Sequence, residues 1–271
     1  MGRLSITTAW NESADFLKRH FGALFTIAVA LIAFPNVATQ WLAPLPAPPG
    51  EDLRTGLWFL LLVAVLLLNM VGSLAISSLA LGRENVVGDA LRHGLRRLPA
   101  MAGASLILIV AALVVALPLI LATGIRPEQL TAPTPATAGR LGLVMLVLVT
   151  VGLFFAVRLM LLTPVAASEP AGPVAIIARS WALTRGHFWK LLGFAVLITV
   201  AAMVVIAVAA MLLGLVIGLA AGPPQEGGLA QLVLLLATSL LNAAFIVIMA
   251  TMVARIYVQL AGPAAAPASG T

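Results

Sequence analysis

Six long apolar runs decide what this chain can fold into. They lie at roughly Phe21 to Ala43, Leu57 to Leu81, Ala100 to Ala122, Leu141 to Leu162, Leu191 to Ala221 and Leu229 to Tyr257, and four of them hold no charged residue at all. A helix rises about 1.5 Å per residue and the hydrocarbon core of a bilayer is about 30 Å thick, so each run is long enough to span it. A chain of 271 residues that is 62% hydrophobic cannot bury so much apolar surface in one water-soluble core. Lipid is the expected solvent. Transmembrane strands would appear as short alternating segments, which rules against a barrel. The fold expected is therefore all-α: a polytopic membrane protein with six transmembrane helices as three hairpins, each preceded by a cytoplasmic interfacial helix. Residues 1–271 form one membrane domain, with residues 263–271 as a disordered tail.

The basic residues set the expected orientation. Twelve of the fifteen (Arg3, Lys18, Arg19, Arg83, Arg92, Arg96, Arg97, Arg158, Arg179, Arg185, Lys190 and Arg255) fall on one side when the connections are numbered alternately, and Arg54, Arg126 and Arg140 fall on the other. Lys and Arg near span ends resist translocation, so the rich side is expected to be cytoplasmic and both termini inside. Acidic residues show no such bias. The charge is thus a membrane signal and not a nucleic-acid footprint, and a face of this kind attracts anionic lipid. The first run begins only after twenty mixed residues and no small-residue cleavage pattern follows it, so it reads as an uncleaved first span.

Three stretches before the odd-numbered spans align on one bulky residue and a glycine twelve positions later: W10NESADFLKRHFG22, L91RHGLRRLPAMAG103 and W181ALTRGHFWKLLG193. Their spacing fits a threefold repeat over 1–82, 83–164 and 165–262. In the first two, apolar residues fall near one helical face and both are expected to lie flat at the interface. The third is less tidy; it is expected to wedge partly against the bundle and to break at Gly186. Trp181 and Trp189 suit the headgroup level, while Arg179, Arg185 and Lys190 reach phosphates, so the stretch is an interfacial anchor and a candidate lipid or partner site. Arg92, Arg96 and Arg97 join that set from the second stretch.

The third stretch, with Pro164 and Glu169 upstream in P164VAASEP170 and the Arg255-Ile256-Tyr257 end of the last run, resembles the bacterial glycerophosphoryl diester phosphodiesterase membrane-domain proteins, and is similar also to the YciC-like inner-membrane family. The resemblance implies a multi-span inner-membrane protein of largely undefined function. The enzymatic name belongs to members carrying a separate catalytic barrel, which has no counterpart in this sequence.

Chemistry is hard to place. None of the nine carboxylates lies inside a run, which argues against a carrier built on a buried acid, and there is no cysteine. His20, His93 and His187 lack carboxylates at metal-ligand spacing, so neither a metal nor another cofactor is expected. Arg158 sits within the fourth run, six residues before Pro164, where it is expected to extend its guanidinium to the interface; a buried pair or a lipid phosphate is the alternative. Asn36, Asn69 and Asn242 lie at depth, as interhelical hydrogen-bonding groups or as the lining of a polar path. Pro35 and Pro118 are expected to kink their helices. Ala210, Gly214, Gly218 and Gly222 recur every four residues, a stripe expected to pack within the chain, with homo-oligomerisation or a membrane-protein partner as the second reading. The function expected is a non-enzymatic membrane protein of envelope or lipid homeostasis binding anionic lipid at a basic collar. A passive or lipid-moving transporter is the alternative; the convergence of Arg158, Asn69 and Asn242 on one cavity would mark it.

Overall fold

A computed structural model describes residues 5–42, 52–84, 86–124, 134–221 and 228–262. Among these every regular element is a helix: α1 (Ile6–Ala28), which runs through a π-helical stretch (Val29–Ala33) into α2 (Phe34–Trp41), then α3 (Asp52–Ala80), α4 (Val87–Ala122), α5 (Pro135–Arg158), α6 (Leu162–Ser168), α7 (Pro173–Thr184), α8 (Phe188–Ala221) and α9 (Leu229–Ala261). Six helices are long and apolar enough to cross a membrane, at Ile6–Trp41, Trp58–Ala80, Val87–Ala122, Thr137–Ser168, Phe188–Leu219 and Leu229–Ala261. The chain is a polytopic all-helical membrane protein. The expected tail and Gly222 lie outside the described residues.

The helix junctions follow from single residues. Pro35 has no amide hydrogen to return to the preceding turn, and the chain widens ahead of it into one π turn, with the Phe34 N–H bonded to the Val29 carbonyl. Beside it the Asn36 side chain folds back on the same turn, its Nδ2 donating to the Ile32 carbonyl oxygen at 2.7 Å. Pro118, by contrast, sits inside an unbroken α4. At the third amphipathic stretch Arg185 is extended and Gly186 has φ +82°, which separates α7 from α8. The first two stretches differ from the expectation: they are the opening turns of α1 and α4, continuous with their spans. The reason is local. Where the third stretch has Gly186, the first has Asp15 and the second Arg96, and neither stops a helix.

The core lies at the end of the bundle where the chain begins and finishes. The Ser5 N–H donates to Gln259 Oε1 at 3.1 Å, so the first and last helices run side by side there. At the same end α6 has six of its seven residues buried, against α3, α4, α7 and α9. Burial fades along the spans. A third of the apolar stretch is buried in the first and second, and none of it in the fifth. With lipid as solvent an apolar face needs no protein cover, so hydrophobicity alone does not draw the outer helices together.

What draws helices close is small residues. A Cβ on Gly94 would stand 3.0 Å from the Val71 carbonyl oxygen, and one on Gly103 would stand 2.7 Å from Pro173 Cγ, so α4 approaches α3 and α7 through its glycines. Each of the three amphipathic stretches buries a pair of small residues four apart: Ala9 and Ser13, Ala90 and Gly94, Ser180 and Thr184. Counted from Trp10, Leu91 and Trp181, these are the same two positions in every stretch.

Candidate functional site

Two groups of polar side chains gather at the basic end. The first is a hydrogen-bonded chain. Ser168 Oγ donates to the Tyr257 hydroxyl at 2.7 Å, that hydroxyl donates to Glu169 Oε1 at 2.9 Å, and Arg179 Nε donates to the same oxygen at 3.0 Å. Ser168 and Tyr257 are fully buried, Glu169 is half-buried and Arg179 is exposed. The clasp ties α6, α7 and α9 together across 88 residues of sequence. Its carboxylate accepts from a cation and a hydroxyl, an arrangement that holds helices in place, since charged partners strengthen each bond. His93 adds a second tie: its Nε2 lies 2.8 Å from the Ala167 carbonyl oxygen and its Nδ1 3.8 Å from Glu84 Oε1.

The second group centres on Arg158, the last residue of α5. Its carbonyl is one of those a helix end leaves without a partner, and Ser180 Oγ of α7 donates to it at 3.0 Å. The Arg158 side chain lies against three aromatic rings, with Cζ 5.5 Å from the Phe154 centroid, 5.2 Å from Trp181 and 5.5 Å from Phe188. The rings also meet one another, Phe154 and Phe155 both lying against Trp181. Nε and Nη1 of Arg158 are buried without a hydrogen-bond partner. Cation–π attraction contributes about 0.5–2 kcal/mol per ring, but it leaves N–H donors unbonded, and an unmade bond from a buried charged group costs more than the ~1–3 kcal/mol of a neutral one. The cage holds the cation and leaves it wanting an acceptor.

The remaining expected site residues divide by partner. Arg179 is engaged in the clasp, and Arg92 lies 3.7 Å from Asp89, one turn earlier on α4. Arg96, Arg185 and Lys190 are exposed and Arg97 half-buried, with no ion pair among the described residues. Trp189 is exposed and Trp181 half-buried in the cage. Arg255, near the end of the sixth span, repeats the Arg158 theme: its Cζ lies 5.2 Å from the Phe16 ring and its Nε is buried without a partner, as are Ser13 Oγ and Gln259 Nε2.

The residues whose convergence would mark a permeation path have different surroundings. Asn69 Oδ1 accepts from Asn36 Nδ2 at 3.2 Å, Arg158 is caged, and Asn242 is exposed. The glycine stripe also departs from expectation, because a Cβ on Gly214 or Gly218 would meet nothing within 4 Å; among the described residues no neighbour of α8 packs against it there. Between α4 and α5 lies an apolar groove of about 250 Å³, lined by residues that include Ala112, Val115, Gly152 and Phe155.

Sequence reasoning missed Glu169, Ser168 and Tyr257 as a unit, and Phe154 and Phe188 as partners of Arg158. Only Phe154, four residues before Arg158 on one helix, carried a readable signal. No curated protein and no solved structure matches the chain. The family match links it to neither the phosphodiesterase membrane domains nor the YciC-like proteins. The model of that family, Domain of unknown function (DUF7847), matches residues 17–260, and the chain belongs to it.

Proposed function

We propose that this chain is a multi-pass protein of the bacterial cytoplasmic membrane, both termini cytoplasmic, that acts without catalysis in envelope or membrane-lipid homeostasis by holding anionic lipid at its basic end. One observation carries the reading: Arg96, Arg97, Arg185 and Lys190 stand at one end of the bundle with no acidic partner among the described residues, beside the exposed indole of Trp189. An anionic leaflet stabilises each such cation by roughly 1 kcal/mol, and an interfacial Trp sits at the same depth. The transporter reading has less support, since Asn69 is committed to Asn36.

The test replaces Arg96, Arg185 and Lys190 together by Gln. Arg179 is left alone because it serves the clasp. Co-purified anionic phospholipid, measured by mass spectrometry, is expected to fall in the triple variant. Unchanged retention would remove the reading.

A further inference from the structure

The groove between α4 and α5 and the Arg158 cage adjoin through Phe155. Phe155 lines the groove and lies 5.7 Å, centroid to centroid, from Trp181, the ring that Arg158 covers from 5.2 Å. The groove runs from Leu108 to Ala116 on α4 and from Leu148 on α5 to Leu159 just past its end. At 1.5 Å per residue those are lengths of about 12 and 16 Å, close to the ~15 Å of hydrocarbon in one leaflet. Leu159, which lines the groove, directly follows Arg158, so the guanidinium belongs to this end of the groove, at the basic end of the bundle.

A hydrocarbon groove in a bilayer is filled by acyl chain. What separates a specific seat from passing lipid is the charge at its mouth. Arg158 has two buried donors without acceptors, and a phosphate oxygen is the acceptor a planar guanidinium fits. The groove volume, about 250 Å³, falls below the ~300–1,000 Å³ of pockets that enclose a whole ligand, so it takes one chain and leaves the rest of the molecule in the leaflet.

We infer that α4, α5 and α7 form a seat for a single anionic glycerophospholipid of the adjoining leaflet, with one acyl chain in the groove and its phosphate on Arg158. This deepens the proposed function and rests on its lipid-binding reading, but it assigns the tightest lipid to Arg158 and not to the exposed cations. A headgroup of net negative charge is preferred because a choline-bearing one brings a second cation up to the guanidinium.

Titration of the purified full chain with phosphatidylglycerol or phosphatidylcholine, followed by native mass spectrometry, tests the seat. The wild type is expected to hold one phosphatidylglycerol about tenfold more tightly than the next, and more tightly than phosphatidylcholine. Arg158→Gln removes the donor fork. Gly152→Leu fills the groove where a Cβ meets nothing within 4 Å, and leaves the cage intact. Each is expected to abolish the tight one-lipid state, while Arg96, Arg185 and Lys190 changed to Gln lower only the later adducts. Inorganic phosphate at millimolar concentration is expected to leave the tight lipid in place. Displacement by phosphate, equal binding of both lipids by the wild type, or full retention in the Gly152→Leu variant would each overturn the seat. Loss of all lipid in the triple variant with none in Arg158→Gln would refute the seat and keep the basic-end reading; the reverse would do the opposite.

Discussion

Arg158 and Gly94 show how much depends on one residue in a bundle that is mostly coated by lipid. At Gly94 the Val71 carbonyl stands 3.0 Å from where a Cβ would go, so Gly94→Val is expected to force α3 and α4 apart and to destabilise the protein by about 1–3 kcal/mol. Thermal unfolding in detergent checks this. Gly88→Ala serves as the contrast, because a Cβ there meets nothing within 4 Å and Ala is favoured over Gly in a helix by roughly 0.5–1 kcal/mol. At depth, the Asn36–Asn69 bond belongs to the modest class of interhelical hydrogen bonds. A double-mutant cycle with Asn36→Leu and Asn69→Leu is expected to return a coupling of about 0.6 kcal/mol. A coupling above ~2 kcal/mol would mean that the pair is held in a far drier, better-fixed setting than two lipid-facing helices provide.

At the scale of elements, the short buried helix α6 and the clasp that leaves its end hold the bundle closed at the basic end. Tyr257→Phe keeps the ring's packing and deletes the hydroxyl, leaving Glu169 with one donor fewer and Ser168 without its closer acceptor. The expected loss is about 1–3 kcal/mol, with protease sensitivity rising between α6 and α7. Protection equal to wild type in limited proteolysis would show that the clasp contributes nothing. The element scale is also where sequence reading lost ground. Runs of apolar residues announce spans in one dimension, so all six were legible. Whether an amphipathic stretch joins its span or turns away depends on one position, occupied by Asp15, Arg96 or Gly186. The Arg158 cage draws its rings from α5, α7 and α8, and the clasp spans 88 residues; such contacts follow from how helices pack, and a lipid-solvated bundle packs through scattered small residues that hydropathy does not mark.

The molecule as a whole is two materials. One end is protein-packed, polar-tied and basic; the rest is helices that lipid covers as well as protein would. The glycine stripe on α8 and the α4–α5 groove both belong to the second part, and the groove adjoins, at Phe155 and Leu159, a charge in want of a partner. That asymmetry makes threading the central claim, since an inverted chain would carry Arg158 and the exposed cations to the opposite leaflet. The chain contains no cysteine, so single thiols can be introduced without background. With Arg185→Cys at the basic end and Gly139→Cys beside Arg140 at the other, a membrane-impermeant maleimide applied to intact cells is expected to label position 139 at once and position 185 only after the membrane is opened. Labelling of position 185 in intact cells, with position 139 spared, would contradict the account.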